Sequence, residues 1–381
     1  MPPTDRLQLT GERIRAVYRL TGAVGEASAR AEDICVEQTV EFPKDLIDRE
    51  DILGGIVGKV VSLNETGGRT VEATIAFPRE AACSELTQLL NVLFGNISLK
   101  PGIRLVGLTL PDGLLSAYRG PRFGRTGLRQ ILDVPERPLL ATALKPLGLE
   151  AKELANLAGR FALGGLDMIK DDHGLTDQPF CRFRDRVARC ADAVREANVR
   201  TGGNCLYFAN ITAPAGELEA RAYFAKTSGT GGVVIAPGLA GFDAMRALAD
   251  DDALALPILS HPAFLGSFTV HPASGIAHGV LHGRINRLAG ADACIFPSYG
   301  GRFSFTEAEC RDIAEAVASP MGNIKTILPA PAGGMNLERV PELIRFYGNE
   351  CILLIGGDLH RHEGDLVKGC RKFVDIVEKM V

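Results

Sequence analysis

The chain has 381 residues, enough for one large domain and a smaller one, each with its own buried core. Hydrophobic residues make up 46% and charged residues 23%, which excludes a disordered or collagen-like chain. There are 42 Lys and Arg against 46 Asp and Glu, a net charge of -4, so the chain has no overall basic field. The composition therefore argues against nucleic acid and acidic membranes as partners.

The nine cysteines are scattered, with no CxxC pair and no secretory leader before them. No apolar run reaches the roughly 18 residues that a membrane span needs. We expect reduced thiols and a cytoplasmic location.

The first third of the chain predicts a small α+β domain, residues 1–130. Its predicted elements are a strand at 13–20, a helix at 24–36, strands at 58–63 and 71–77 around a turn at 64–68, a helix at 84–94 capped by Ser84, and a strand at 103–110. This βαββαβ order is typical of the ferredoxin-like fold.

The rest of the chain, residues 131–381, shows short apolar runs alternating with amphipathic segments. The runs are 139–145, 166–172, 205–211, 232–237, 257–261, 291–297, 326–331 and 351–356. Eight such units in about 245 residues predict a (β/α)₈ TIM barrel, because near-continuous apolar strands are expected where helices cover a parallel sheet. A doubly wound open sheet is the second interpretation.

Barrel enzymes carry their chemistry at the carboxyl ends of the strands, so the residues that follow each run are the candidates. Lys145 ends the first run and Pro146 follows it. A lysine in a partly desolvated barrel mouth can have a lowered pKa and transfer a proton. A solvated loop lysine is the alternative.

The second run ends in a lysine, two aspartates and a histidine at 170–173. Strand alternation lets Lys170 and Asp172 face the same point, with His173 opening the loop. These groups indicate an ion site, provided that the positive charge of the Lys170 ammonium is neutralised, because that charge would otherwise repel a cation. The alternative is a salt bridge from Lys170 to Asp171 or Asp172 at the barrel rim.

Two glycine pairs follow runs seven and eight, namely Gly333-Gly334 and Gly356-Gly357. Barrels often bind phosphate there, on backbone N–H groups supported by the dipole of the following helix. His261, at the end of run five, can hydrogen-bond a phosphate or hydroxyl. Turn glycines and a rim histidine are the alternatives.

Several spaced motifs carry a family resemblance. In chain order they are EQ at 37–38, LLNVLFGNISL at 89–99, GPRFG at 120–124, TALKP at 142–146, GGLDMIKDD at 164–172, HPAF at 261–264, PAGGM at 331–335 and IGGD at 355–358. This series resembles the RuBisCO superfamily, and within it the RuBisCO-like proteins that do not fix carbon dioxide. The resemblance implies the fold given above and a head-to-tail homodimer. In such a dimer Glu37 and Asn96 would complete the partner's active site.

The resemblance also implies a metal centre. Lys170 would be carbamylated by CO2 and would bind Mg²⁺ together with Asp172. The third family ligand is a glutamate, and this chain has His173 there. Imidazole is a poorer partner for Mg²⁺ than carboxylate, so the departure implies a looser site, a different metal such as Mn²⁺, or one missing ligand.

The resemblance gives the remaining site residues their roles. Lys145 would handle the enolisation proton, and His261 with both glycine pairs would bind phosphate. Carboxylating RuBisCO needs a lysine in the loop after strand six, and residues 297–302 hold none. Carbon fixation is therefore not expected.

The resemblance implies proton abstraction next to a carbonyl of a phosphorylated ketose. The first choice is isomerisation of 5-methylthioribulose 1-phosphate to a methylthio-xylulose phosphate in methionine salvage. Alternatives are a 3-oxo-isoapionate 4-phosphate decarboxylase and a 2,3-diketo-5-methylthiopentyl-1-phosphate enolase, although the enolases carry a lysine where this chain has Asn96, with Lys100 nearby. A non-enzymatic metabolite-binding or regulatory homologue is disfavoured because Lys145 and Lys170 are both present.

Overall fold

The computed structural model describes residues 7–361 and 364–380. The chain divides into two compact units. The first unit comprises Met1–Arg119, Leu265–Arg284 and Met321–Ile324, and the second, the barrel unit, comprises Gly120–Phe264, Ile285–Pro320 and Lys325–Val381. The first unit therefore takes two short segments from the later part of the chain.

The first unit is built on a mixed sheet. Its elements before residue 120 are β1 (Arg13–Thr21), α1 (Val24–Glu37), the 3₁₀ turn Lys44–Leu46, α2 (Glu50–Gly55), β2 (Lys59–Gly67), β3 (Thr70–Pro78), α3 (Arg79–Ala82), α4 (Leu86–Phe94), the 3₁₀ turn Asn96–Leu99, β4 (Ile103–Thr109) and α5 (Asp112–Leu115). Alternate residues of β1 are fully buried, as the period of two requires for a sheet with one covered face. The predicted βαββαβ order is confirmed.

Local details of this unit differ from the sequence predictions. The hairpin between β2 and β3 turns at Gly68 and Arg69, whose φ angles are 60° and 58°. Strand β2 continues to Gly67, so it includes most of the predicted 64–68 turn, and β3 begins only at Thr70. Glu85, not Ser84, is the N-cap of α4, and its side chain makes no capping hydrogen bond. The predicted cap at Ser84 is wrong.

The remaining elements follow in chain order from residue 120. They are α6 (Gly124–Leu132), β5 (Leu139–Leu144), α7 (Ala151–Leu163), β6 (Met168–Asp171), α8 (Phe183–Thr201), β7 (Leu206–Asn210), α9 (Ala215–Thr227), β8 (Gly232–Ile235), α10 (Pro237–Ala240), α11 (Phe242–Asp250), β9 (Ile258–Ser260), α12 (Gly266–Thr269), β10 (Gly275–Ile276), a π-helix (Gly279–Ile285), α13 (Asn286–Leu288), β11 (Ala293–Pro297), α14 (Glu307–Ala318), β12 (Leu328–Ala332), α15 (Val340–Tyr347), β13 (Ile352–Ile355), a 3₁₀ turn (Gly357–Arg361) and α16 (Leu366–Glu378). The two-residue strand β10 adds a parallel edge to β4, so the sheet order of the first unit is β10-β4-β1-β3-β2.

Eight strands of the barrel unit close into a barrel in the order β11-β12-β13-β5-β6-β7-β8-β9. All of their pairings are parallel. Inward-facing residues such as Ala141, Phe208 and Val234 fill the interior and are at most 1% exposed. The predicted TIM barrel is confirmed, and the open-sheet alternative is wrong. In the part of the chain that the structure describes, no helix is long and apolar enough to cross a membrane.

Candidate active site at the barrel mouth

Lys145 and Asp172 meet at the carboxyl ends of two neighbouring strands. Leu144, the last residue of β5, is paired with Asp171, the last residue of β6, so the residues that follow lie side by side. Lys145 Nζ is 3.3 Å from Asp172 Oδ1, and the two side chains are 42% and 21% exposed. The structure thus brings together two of the predicted site residues and leaves the lysine open to solvent.

Two histidines stand next to this pair. His173 Nδ1 lies 3.4 Å from Asp172 Oδ1, and the His173 ring stacks on His261 with centroids 4.7 Å apart and planes 11° apart. Burial opposes the charge of Asp172, but the hydrogen bond from His173 and the nearby lysine charges outweigh it and hold the pKa of Asp172 below its ordinary value.

His261 titrates far from its usual range. Burial, followed by the positive charge of Lys170, lowers the pKa of His261 to about 2. His261 is therefore neutral at physiological pH, and its imidazole offers a hydrogen bond rather than a charge.

Lys170 lies beneath these groups and is 2% exposed. Its Nζ donates a hydrogen bond to the backbone oxygen of Asp171 at 2.7 Å, and not to a carboxylate. Burial lowers the pKa of Lys170 to about 8, while the charge of Asp172 opposes the shift and that of Lys145 adds to it. Near pH 8 a large share of this amine is neutral, the form whose lone pair can react with CO2.

The Asp171 side chain belongs to a different set of contacts, so the alternative of a Lys170–Asp171 salt bridge is wrong. Asp171 pairs with Arg186, whose Nε lies 3.1 Å from Oδ2, and both side chains are fully buried. The Tyr207 hydroxyl donates to Oδ1 at 2.8 Å, and the backbone N–H of Asn210 donates to Oδ2 at 3.0 Å. The carboxylate thus has a charged partner on Oδ2 and a hydrogen-bond donor on each oxygen.

This buried network also supports the loop after β6. Asn210 Nδ2 donates to the backbone oxygens of His173 and Leu175, at 3.0 and 2.9 Å. The network therefore holds the backbone of the loop that follows Asp172, at His173 and Leu175. Sequence reasoning assigned no role to Arg186 or Tyr207, and the available signal was an arginine on the apolar face of an otherwise amphipathic helix.

The two glycine pairs lie at the ends of adjacent strands, because β12 pairs with β13. Gly333 and Gly334 have φ angles of 86° and 67°, a region that favours glycine. A Cβ added at Gly356 or Gly357 would meet nothing within 4 Å. The structure thus leaves open space beside these backbones, as an anion cradle requires.

The predicted helix dipole behind these glycines is not what the structure shows. Gly357 opens a five-residue 3₁₀ turn, and the longer helix α16 begins only at Leu366. After β12, α15 begins at Val340, beyond the glycine pair. The helices α15 and α16 thus begin several residues after the glycine pairs, so an anion here would depend mainly on loop N–H groups.

Glu37 and Asn96 come together in the first unit. Asn96 Nδ2 donates to Glu37 Oε1 at 3.1 Å. Lys100 Nζ lies 3.5 Å from Glu37 Oε2 and 2.6 Å from Asp33 Oδ2. The hydrogen bond to Asp33 raises the pKa of Lys100, although burial acts in the opposite direction. A lysine therefore accompanies Glu37 although position 96 itself is an asparagine.

The predicted metal ligands Lys170, Asp172 and His173 include two side chains that bind metal without modification. Among the described residues, no three His, Cys, Asp or Glu side chains form a group that could hold a metal ion. Asp172 and His173 supply two adjacent donors, and a carbamate on the neighbouring Lys170 would add the oxygen ligands that a hard divalent cation prefers. The residues fit such a cation only with that modification.

The closed eight-stranded parallel barrel, with Lys145 and Asp172 in contact at its strand ends, defines the class as a TIM-barrel protein with a candidate active site at the barrel mouth. The chain belongs to the RuBisCO large-chain family: residues 124–374 match the model of the ribulose bisphosphate carboxylase large chain, catalytic domain. The predicted resemblance is confirmed.

Relatives match nearly the whole chain in sequence, and one of the solved structures matches it in fold. A 5-methylthioribulose-1-phosphate isomerase of Rhodospirillum rubrum is 40% identical over 364 residues, 95% of this chain and 96% of that protein. A 2,3-diketo-5-methylthiopentyl-1-phosphate enolase of Bacillus pumilus is 31% identical over 375 residues, 96% of this chain and 92% of that protein. The crystal structure of a Rubisco-like protein from Rhodopseudomonas palustris superposes with a TM-score of 0.88 at 39% identity, covering 97% of this chain and 99% of that chain.

Proposed function

We propose that the chain is an isomerase that abstracts a proton next to the carbonyl of a phosphorylated ketose, with 5-methylthioribulose 1-phosphate as its substrate. The observation that carries this proposal is the placement of Lys145 Nζ, 3.3 Å from Asp172 Oδ1 and 42% exposed at the barrel mouth. The 40% identity to the Rhodospirillum rubrum isomerase over almost the whole chain supports the choice of substrate.

Lys145 is the proposed proton-transfer group. Its side chain reaches solvent, whereas Lys170 is 2% exposed and bonded to a backbone oxygen, so the two lysines are suited to different tasks. Asp172 holds Lys145 Nζ in place by charge. Once the Lys145 ammonium has given one proton to solvent, the neutral amine takes the proton next to the substrate carbonyl, and the ammonium formed in this way returns it to the neighbouring carbon.

Lys170 is the proposed site of carbamylation by CO2. With Asp172 and His173 it would hold Mg²⁺, or Mn²⁺ given the imidazole of His173. When bound, such a cation stabilises the negative charge that develops on the substrate oxygen after proton loss. The lowered pKa of Lys170, about 8, supports this assignment because the neutral amine is the reactive form.

The phosphate of the substrate is proposed to bind at Gly333, Gly334, Gly356 and Gly357, with His261 as a neutral hydrogen-bond partner. The open space beside Gly356 and Gly357 and the adjacency of β12 and β13 support this. Backbone N–H groups in such a loop can surround an anion without an added charge.

We further propose a homodimer in which Glu37 and Asn96 complete the partner's site, supported by their hydrogen bond and by the nearby Lys100. We propose that it works in the cytoplasm, where its nine free thiols would stay reduced.

The test is turnover of a panel of phosphorylated pentuloses with Mg²⁺ and CO2, followed by phosphorus NMR. We expect a new phosphate-ester resonance with 5-methylthioribulose 1-phosphate. Turnover of only the diketo-methylthiopentyl phosphate or of 3-oxo-isoapionate 4-phosphate would replace the proposed reaction with the enolase or decarboxylase alternative. Binding without turnover of any member would favour a metabolite-binding protein.

A further inference from the structure

We propose that Arg339 is a positioning residue that ties the loop after β11, residues 298–302 (the β11 loop), to the Gly333-Gly334 loop (the glycine loop). These two loops form one wall of the barrel mouth. The tie holds the wall in place before substrate binds, so the loops do not close over the substrate. The effect on substrate binding rests on the proposed function, but the tie itself does not.

The guanidinium of Arg339 bridges the two loops. Its Nη2 donates to the backbone oxygen of Tyr299 at 2.9 Å, and its Nη1 donates to the backbone oxygen of Gly334 at 3.3 Å. The Arg339 side chain is 19% exposed. A planar guanidinium has several donors in one fixed fork, so it can hold two carbonyls at once where a lysine ammonium offers a single point of contact.

A second set of contacts anchors the β11 loop to α15. The Arg339 guanidinium lies 5.6 Å from the centroid of the Tyr299 ring, and the Tyr299 hydroxyl donates to Glu342 Oε1 at 2.8 Å. Glu342 Oε2 is in turn 3.7 Å from Arg339 Nε. The three side chains form a closed cycle, so the position of each is set by the other two.

Backbone packing brings the two loops into direct contact. The N–H of Ser298 donates to the backbone oxygen of Ala332 at 2.8 Å. A Cβ on Gly334 would stand 3.0 Å from the Cα of Gly301, and one on Gly300, whose φ is 66°, would stand 3.0 Å from Arg339 Nη2. The glycines at these positions are what permit the loops and the guanidinium to approach so closely.

Holding these carbonyls fixes the amides on the other side of each peptide. The peptide group is planar, so a bond to the Gly334 oxygen also sets the direction of the Met335 N–H, and a bond to the Tyr299 oxygen sets that of Gly300. When the amides are already in place, no binding free energy is lost in ordering them as the anion binds. Arg339 thus acts on phosphate binding through the glycine loop, without touching the phosphate.

The experiment measures amide hydrogen exchange in the β11 loop of the full chain without ligand. Arg339→Gln is expected to speed exchange at residues 298–302 by at least about tenfold, since charge-assisted hydrogen bonds to two carbonyls are lost. Glu342→Gln should give a smaller increase. The matched control is Arg345→Gln, an exposed arginine of the same helix, which should leave exchange unchanged.

Wild-type exchange in the β11 loop outside Gly300, whose N–H can itself bond the anion, should be the same with and without inorganic phosphate, because the wall is already formed. A strong slowing of exchange on phosphate addition would show a loop that closes on its ligand and would overturn the proposal. Unchanged exchange in Arg339→Gln would do the same.

Kinetics then test the link to binding. Arg339→Gln should raise the KM for the phosphorylated substrate about tenfold with kcat nearly unchanged, and Arg339→Lys should recover only part of the loss. If exchange rises but KM does not, the positioning role is refuted. If exchange behaves as expected but no phosphorylated pentulose is turned over, the tie stands and the proposed function fails.

Discussion

The buried pair Asp171–Arg186 gives the sharpest stability prediction. Both side chains are fully buried, with Arg186 Nε 3.1 Å from Asp171 Oδ2. Arg186→Met replaces the arginine with an apolar side chain of similar length and leaves the Asp171 carboxylate without a counter-charge. It also removes the Arg186 Nη1 hydrogen bond to Thr176, 2.7 Å long. The neutral donors Tyr207 and Asn210 remain.

Removing one partner of a buried ion pair typically costs about 3–5 kcal/mol, because the other charge stays buried and uncompensated. We expect a loss of this size in the free energy of unfolding of Arg186→Met. The matched control is Arg189→Met on the same helix, whose pair with Asp185 is 53% and 54% exposed. Exposed pairs of this kind contribute about 0–1 kcal/mol.

The assay is urea denaturation followed by far-UV circular dichroism, since the chain has no tryptophan. The double variant Asp171→Asn with Arg186→Met should recover part of the loss, because no unpaired charge remains. A loss in Arg186→Met within about 1 kcal/mol of the Arg189→Met control would refute the reasoning that this pair is a tightly coupled, buried element beneath the site.

Three other predictions concern ligands and assembly. Because burial lowers the pKa of Lys170 to about 8, the folded chain binds fewer protons than the unfolded chain between about pH 8 and 10.5, so the contribution of Lys170 to stability rises with pH in that window. The yield of ¹³C-carbamate at fixed CO2 should rise steeply up to about pH 8 and less steeply above it, because the amine must be neutral to react and the reaction itself releases a proton. A ¹³C NMR signal that persists in Lys170→Arg would contradict the assignment. Gly357→Ala should raise the KM for a phosphorylated substrate about tenfold without loss of stability, since its Cβ meets no protein atom within 4 Å and enters the space proposed for the phosphate. The control Gly216→Ala, equally uncrowded but on α9 and outside both glycine pairs, should leave KM unchanged. Equal KM values in both variants would remove Gly357 from the phosphate site. Mixing inactive Glu37→Gln and Lys170→Ala subunits should restore part of the activity through hybrid dimers, and a fully active monomer in sedimentation would end that proposal.

The sequence predicted most of the barrel because its strands are buried on both faces and read as eight continuous apolar runs. It also placed Lys145 and Asp172 at the ends of the first two runs, where barrel enzymes carry their chemistry. It did not predict β10, because two residues have no periodicity and their partner β4 lies about 170 positions earlier. The roles of Arg186 and Arg339 were not predicted for a related reason. Which group a long side chain contacts depends on how distant segments are placed in three dimensions, and the local sequence pattern does not contain that information.

The most direct test of the central claim is exchange of the substrate proton next to the carbonyl with deuterium oxide, measured by proton NMR on 5-methylthioribulose 1-phosphate with Mg²⁺ and CO2 present. We predict that the wild-type chain incorporates deuterium, and that Lys145→Ala loses incorporation by several orders of magnitude while metal affinity stays nearly intact. Exchange at the wild-type rate in Lys145→Ala, or no incorporation by the wild-type chain, would contradict it.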